Sequence, residues 1–179
     1  MTRAVVVVFA VVSALALGAC GGAEMPAEST PAPSSASTAS PTPGLSVAPV
    51  PPALAFAAKT LDGRDFAGSS LVGRPVVLWF WAPSCPKCRA AAPDVVRAAQ
   101  RVTVVGVPGL SDDRASMRDF VAATKTGGFA HLGDGAGEVW KRFGVTSQDT
   151  YVLIDARGTV VYKGGLDASG LAERVAALA

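Results

Sequence analysis

The chain has 179 residues, half of them hydrophobic, and a formal net charge of +2. This length and apolar content are sufficient for one folded domain with tails, which is the domain count that we predict. The Lys and Arg residues are scattered, without a run or a basic patch interleaved with aromatic side chains, and loss of a leader containing Arg3 would lower the charge to +1. We therefore expect no nucleic-acid partner.

The N-terminal segment, residues 1–19, has the pattern of an export signal. Arg3 supplies a positive charge, and the apolar run from Ala4 to Leu17 is broken only by Ser13. This run is shorter than the roughly 20 apolar residues that a membrane-spanning helix needs. The sequence LGAC, which ends at Cys20, resembles the lipobox of bacterial lipoproteins. The resemblance implies cleavage before Cys20, lipid attachment to that residue and a place on the outer face of the cytoplasmic membrane. A plain secretory leader, or a short uncleaved anchor, is the alternative.

Residues 20–53 are predicted to form a tether that begins with the lipidated Cys20. The segment is rich in Pro, Ser, Ala and Thr and has almost no large apolar side chains. Such a composition cannot offset the entropy cost of folding. We expect an extended, disordered spacer that leads to a folded domain over residues 54–179.

The pattern of a folded domain begins at Leu54 with short apolar segments on both sides of Asp62-Gly63. This dipeptide is a strong turn signal, so the region is predicted to be a β-hairpin. Val76 to Ala82 and Val102 to Val107 are continuous apolar runs without polar alternation. Such runs are typical of strands that are buried on both faces of a sheet.

A helix is predicted between these two strands, beginning at Cys85. Ser84 is its expected N-cap, and Pro86 lies in its first turn, where the missing N–H is harmless. Pro93 lies in the interior of the helix and is expected to kink it.

The remaining predicted elements complete a mixed sheet with helices on both faces. A second helix is capped by Asp112 or Asp113 and runs to about Lys125, and Tyr151 to Tyr162 is predicted to form two strands about a turn. A last helix follows, with an inner stripe of Leu171, Val175 and Leu178. The predicted fold class is therefore α/β.

From Leu54 to the C-terminus the chain resembles the thioredoxin fold, and specifically the exported redoxins of the TlpA, ResA and DsbE type. The motifs that carry the resemblance occur in order: TLDGRDF, VVLWFWAPSCPKC, Pro93 five residues after the second cysteine, EVWKRFGV and YVLIDARGTVVYKGG. The resemblance implies a thiol-disulfide oxidoreductase that acts on protein thiols or disulfides. We expect it to need no cofactor and to be a monomer.

Cys85 and Cys88 have the spacing of a redox pair. Backbone N–H groups and the helix dipole at a helix start favour a thiolate, which is the reactive form of cysteine. Cys88, one turn later, can close an intramolecular disulfide and release a partner bound to Cys85. We expect Cys85 to be the attacking nucleophile and Cys88 the resolving thiol, surrounded by Trp81, Pro86 and Lys87. The third cysteine, Cys20, is accounted for by lipidation.

A site for copper or another thiophilic metal is the alternative interpretation of the same cysteines. Copper-carrying proteins of this fold use two thiolates and a distant histidine, and His131 is the only histidine in the chain. Their cysteines are usually separated by three residues rather than two, and a lone histidine on or beside an edge strand is more often structural. A peroxidase is not indicated, because the Pro and Thr that precede a peroxidatic cysteine are not found around Cys85.

Asp149 departs from the family pattern, in which a cis-proline faces the dithiol at this position. We expect Gln148 and Asp149 to form the loop that faces the substrate. The peptide bond between them is predicted to be trans, because a cis bond before a non-proline residue costs about 3 kcal/mol. A carboxylate near Cys85 would disfavour its thiolate. Three interpretations stay open: a weakened redoxin, a proton-accepting Asp149, or a loop that holds Asp149 away from the sulfur atoms.

Overall fold

The computed structural model describes residues 49–109 and 111–178. The predicted leader, the proposed lipidation site Cys20 and most of the predicted tether lie outside the described residues. Among the described residues, no helix has the length and apolar character needed to cross a membrane.

Seven strands and four α-helices follow one another along the described part of the chain. In order they are β1 (Ala57–Lys59), β2 (Asp65–Ala67), β3 (Val76–Trp81), α1 (Pro86–Ala99), β4 (Thr103–Pro108), α2 (Arg114–Ala123), β5 (Ala130–His131), α3 (Glu138–Arg142), β6 (Thr150–Ile154), β7 (Val160–Gly164) and α4 (Ala168–Leu178). The strands β1 and β2 form the predicted antiparallel hairpin about Asp62-Gly63.

The other five strands form one mixed sheet in the order β5-β4-β3-β6-β7. Strand β3 is parallel to β4 and antiparallel to β6, and the outer pairs β4–β5 and β6–β7 are parallel and antiparallel respectively. All residues of β3 are buried, as its continuous apolar run predicts. The predicted mixed α/β sheet is confirmed.

The two faces of the sheet bury two separate hydrophobic clusters. Alternate residues of β3 point to opposite faces, so Val77, Trp79 and Trp81 join one cluster and Val76, Leu78 and Phe80 the other. Helices α1, α2 and α4 cover the first face, and α3 covers the second together with the segment around Leu54. The first cluster contains both cysteines of the predicted redox pair.

Helix α1 begins one residue later than predicted, and its N-cap is Cys85 rather than Ser84. Cys85 has an extended backbone, with φ of −87° and ψ of 108°, because a residue before proline is driven out of the helical region. The sulfur of Cys85 accepts a hydrogen bond from the Cys88 backbone N–H at 2.9 Å, as an N-cap side chain does. Pro86 is the first helical residue, and Pro93 lies inside the helix without ending it.

One strand and one α-helix of the described chain were not predicted as such. Strand β5 is a two-residue edge strand that carries His131, where a location on or beside an edge strand was expected. The short helix α3 follows Gly137, which has a φ of +67°. The backbone N–H groups of its first turn donate to the buried carboxylate of Asp134, which lies further upstream than a usual N-cap residue.

Candidate active site

Cys85 and Cys88 form a disulfide at the N-terminus of α1, directly beyond the end of the central strand β3. Their Cα atoms are 5.3 Å apart. Both side chains are fully buried, whereas their neighbours Ser84, Pro86 and Lys87 are exposed. The structure thus brings the predicted redox pair together beneath a solvent-exposed rim.

Backbone hydrogen bonds fix the turn between β3 and α1. The N–H of Cys85 donates to the Ala82 carbonyl at 3.1 Å, and the N–H of Arg89 donates to the Cys85 carbonyl at 3.2 Å. The Arg89 side chain returns to the same turn, where Nη2 donates to the Pro83 carbonyl at 3.2 Å. Cys85 is therefore held from both sides by residues of the motif itself.

Aromatic rings pack in the same buried cluster as the disulfide. The Trp81 ring is stacked on the Phe120 ring of α2, with centroids 4.2 Å apart and an interplanar angle of 15°. The Trp79 ring lies 6.0 Å from that of Trp81. Trp81 and the two cysteines thus belong to one buried hydrophobic cluster.

Asp149 lies at the same end of the sheet as the motif. It immediately precedes β6, whose Thr150 is opposite Phe80 near the end of β3. The Asp149 N–H donates to the Phe80 carbonyl at 2.7 Å, and its φ of +59° lies in the left-handed region. Gln148, the other predicted loop residue, is half-buried beside it. The loop is therefore close to the motif, and its backbone at Asp149 differs from that of the proline that the family has at this position.

The Asp149 carboxylate is turned toward the core of the domain. Its Oδ1 atom accepts hydrogen bonds from Trp79 Nε1 at 3.4 Å and from the Tyr151 hydroxyl at 3.3 Å. Burial raises the pKa of Tyr151, and the nearby Asp149 carboxylate adds to the effect, so this hydroxyl remains a proton donor. The sequence predicts neither bond: Trp79 is 70 positions away from Asp149, and Tyr151 is only two positions away but belongs to an apolar strand pattern that does not indicate where its hydroxyl lies.

A cavity of about 260 Å³ connects the Asp149 loop with the helix of the motif. Lys87, Ala91 and Asp94 line it from α1, opposite Asp149 and Tyr151. Lys87 therefore shares a solvent-accessible cavity with the loop that we expected to face the substrate. The motif alone does not indicate that Asp94 and Asp149 line this cavity.

Both ring nitrogens of His131, the histidine of the alternative metal interpretation, are bound inside the fold. A Trp indole N–H can only donate, so Nδ1 of His131 accepts from Trp81 Nε1 at 3.2 Å, and the Nε2–H donates to the Thr126 carbonyl at 3.0 Å. Burial lowers the pKa of His131 to about 4, outweighing the opposite effect of the Thr126 bond. Metal binding at His131 would require one of these buried bonds to break. Within residues 49–109 and 111–178, no three His, Cys, Asp or Glu side chains are grouped to hold a metal.

Comparison with known proteins identifies the family of this chain. Residues 50–163 match the model of the AhpC/TSA family. The chain is 40% identical over 132 residues to the soluble secreted antigen MPT53 of Mycobacterium tuberculosis, a match that covers 70% of this chain and 75% of MPT53. It is 34% identical over 119 residues to the thiol:disulfide interchange protein DsbE of Yersinia pestis, covering 64% of this chain and 61% of DsbE.

Solved structures of similar proteins confirm the thioredoxin-like fold. MTB DsbF, solved in mixed oxidized and reduced forms, has 46% sequence identity and a TM-score of 0.69, covering 73% of this chain and 100% of DsbF. A secreted Mycobacterium tuberculosis disulfide oxidoreductase homologous to E. coli DsbE has 38% identity and a TM-score of 0.65, covering 70% and 98% of the two chains. The chain therefore belongs to the AhpC/TSA family of thioredoxin-like redoxins.

Proposed function

We propose that this protein is an extracytoplasmic thiol-disulfide oxidoreductase that exchanges disulfides with protein substrates through Cys85 and Cys88. The disulfide between these residues at the start of α1 is the observation that carries the proposal. The relatives support it, because they include a thiol:disulfide interchange protein and a secreted disulfide oxidoreductase.

We assign to Cys85 the role of forming the mixed disulfide with the substrate. When the protein oxidises a substrate, a substrate thiolate attacks Cys85 Sγ, the Cys85–Cys88 bond breaks, and its electron pair leaves on Cys88. A second substrate thiolate then attacks the substrate sulfur of this mixed disulfide and releases Cys85 as a thiolate. The substrate gains a disulfide and the protein gains two electrons and, on protonation, two protons. In the reverse direction, the Cys85 thiolate attacks a substrate disulfide and Cys88 resolves the adduct.

The N-cap geometry favours this assignment of roles. Cys85 Sγ already accepts the N–H of Cys88, and the same donor and the positive end of the α1 dipole would stabilise a thiolate at Cys85. Because the disulfide is buried, a partner thiolate reaches Cys85 only after a local opening of the rim formed by Ser84, Pro86 and Lys87. Reduction potentials of such pairs range from about −270 to −120 mV, and the dipeptide Pro86-Lys87 does not set the direction of exchange.

Two serine variants of the full-length protein test these roles. We expect Cys88→Ser to accumulate a mixed disulfide between Cys85 and a model protein substrate, because the resolving thiol is missing. The substrate is supplied in its reduced form and in its oxidised form. We expect Cys85→Ser to lose exchange and to form no such adduct. Non-reducing electrophoresis and mass spectrometry of the cross-linked peptides measure both results, with Cys20→Ser as the control. Exchange by Cys85→Ser at the rate of the control would contradict the proposal.

Membrane attachment through lipid on Cys20 is the second part of the proposal. The LGAC sequence and the apolar run before it support export and lipidation. The Pro- and Ser-rich segment that follows would then act as the spacer between the membrane and the domain. The secretion of MPT53 and of the DsbE homologue, which their names state, agrees with an extracytoplasmic location.

A further inference from the structure

The buried imidazole of His131 lies on an edge strand, and it contacts Trp81, which belongs to the same buried cluster as the disulfide. We propose that His131 is a positioning residue for exchange at Cys85, acting through the indole of Trp81, a role that rests on the proposed attack at Cys85. Three successive contacts link the imidazole to the turn that presents this sulfur.

The first contact fixes the indole of Trp81. His131 is 6% exposed, and its Nδ1 atom accepts the Trp81 Nε1–H at 3.2 Å. The Nε2–H of the same ring is held by the Thr126 carbonyl at 3.0 Å, so the imidazole cannot rotate without losing both bonds. The backbone makes room for this pair at Gly106 of β4, where a Cβ atom would overlap His131 Nδ1 and lie 2.9 Å from Trp81 Nε1. A glycine is therefore required beside the pair.

The second contact passes from Trp81 to helix α2. The Trp81 ring stacks on the Phe120 ring with a centroid distance of 4.2 Å, the shortest aromatic contact among the described residues. His131 meets the same indole edge-on, at a centroid distance of 5.5 Å and an angle of 84°. The hydrogen bond that Trp81 donates to His131 therefore constrains the angle at which the indole is presented to Phe120.

The third contact returns from α2 to the motif. The guanidinium of Arg89 lies 4.9 Å from the centroid of the Phe120 ring. The same guanidinium donates to the Pro83 carbonyl, and the Arg89 N–H donates to the Cys85 carbonyl. A shift of the Trp81 ring would thus displace Phe120 and Arg89, and with Arg89 the backbone on both sides of Cys85. Misplacement of a reacting group by about 1 Å can slow a reaction by about 100-fold.

Two variants of His131 separate this role from a contribution to stability. An Asn side chain places an oxygen where Nδ1 stands, so His131→Asn keeps the acceptor for Trp81 and loses the donor for Thr126. A Gln side chain reaches the position of Nε2, so His131→Gln keeps the donor for Thr126 and loses the acceptor for Trp81. Each variant loses one buried hydrogen bond, so we expect their losses of stability to be similar.

The measured quantity is the rate of exchange between the full-length protein and a dithiol, at a temperature where thermal unfolding shows each variant to be folded. We expect exchange about tenfold slower for His131→Gln and within about twofold of wild type for His131→Asn. Equal rates for the two variants, whether both normal or both slow, would overturn the positioning role. A wild-type protein without exchange would overturn the proposed function together with this role, so the two failures are distinguishable.

The variant Trp81→Phe provides the test if His131→Gln does not fold. It removes the indole N–H and leaves the bond between His131 and Thr126 in place. We expect slower exchange than in the wild type, because the ring at position 81 no longer donates to His131 Nδ1, whereas His131→Asn, which keeps this acceptor, stays within about twofold of the wild type. Exchange at the wild-type rate in Trp81→Phe would overturn the proposal.

Discussion

Asp149 adopts a backbone conformation that proline, the family's usual residue at this position, cannot adopt. Its φ is +59°, whereas the proline ring holds φ near −65°. Its N–H donates to the Phe80 carbonyl at 2.7 Å, and proline has no N–H to donate. The loop beside the dithiol is therefore built around the aspartate, and a proline would not simply restore the family geometry.

We expect Asp149→Pro to lower the free energy of unfolding by about 3 kcal/mol, because it combines a forbidden φ with a lost buried hydrogen bond. Asp149→Gly accepts the same φ and should cost less, losing only the carboxylate bonds to Trp79 and Tyr151. Urea unfolding of the three proteins measures the difference. A proline variant at least as stable as the glycine variant would show that the left-handed backbone is not required.

His131 makes the stability of the domain depend on pH. Its pKa is lowered by burial to about 4, below the ordinary value of 6.5, so the unfolded chain binds more protons between these pH values. The contribution of His131 to the free energy of unfolding is therefore fully present above about pH 6.5. The free energy of unfolding falls by about 3 kcal/mol as the pH is lowered to about 4. The charged groups that line the cavity beside His131 are Asp62, Arg64, Arg118 and Lys125.

Urea unfolding across this pH range, in the wild type and in His131→Asn, measures the contribution of the histidine. We expect the wild type to lose more stability on acidification than the variant does, since the other titrating groups are shared. Parallel curves would mean that His131 is not the group responsible.

The element scale shows which parts of the fold local sequence patterns determine. The strands β3 and β4 were predicted because their apolar runs reflect burial on both faces of the sheet. Helix α3 has only five residues, too few for a periodic pattern. The carboxylate that caps it belongs to Asp134, four positions before the first helical residue. Pro86 keeps Cys85 out of the helical region, so the N-cap of α1 is Cys85 and not Ser84, the residue that cap preference alone favours.

The site shows the same division between local and distant information. The redox pair was predicted because its two residues form one local motif. The bonds of Trp81 to His131 and of Trp79 to Asp149 join residues 50 and 70 positions apart, and only the packing of the sheet brings them together. No local pattern in the chain indicates such pairs.

Helix α3 depends on the buried carboxylate of Asp134, which accepts N–H groups of Glu138, Val139 and Trp140. Such a short helix is not stable by itself. We expect Asp134→Ala to lower the free energy of unfolding by about 2 to 4 kcal/mol, because the buried N–H groups lose their acceptor. Urea unfolding measures the loss, with Asp119→Ala on exposed α2 surface as the control. Equal stability of the two variants would contradict the capping role.

At the scale of the whole molecule, the sheet places the dithiol, the Asp149 loop and Trp81 at one end of β3. One folded domain thus carries the chemistry. The membrane attachment that we propose would be provided by residues 1–53, which precede this domain in the chain.

The proposed attachment predicts where the protein is found in a bacterium that processes lipoproteins. We expect the wild type in the membrane fraction and Cys20→Ser, which lacks the lipidated sulfur, released from it. Cell fractionation and mass spectrometry of the N-terminal peptide measure this, with Cys85→Ser as the control for loss of a cysteine. Unlipidated wild-type protein would contradict the anchor while leaving the redox proposal intact.

The reduction potential of the Cys85–Cys88 pair tests the central claim most directly. Equilibration of the full-length protein with dithiol buffers of known potential, followed by thiol alkylation and mass spectrometry, gives the fraction of the pair that is oxidised. We expect a single two-electron transition between about −270 and −120 mV, the range of proteins that exchange disulfides. A potential below about −300 mV, typical of structural disulfides, would contradict the claim that this pair is the redox centre.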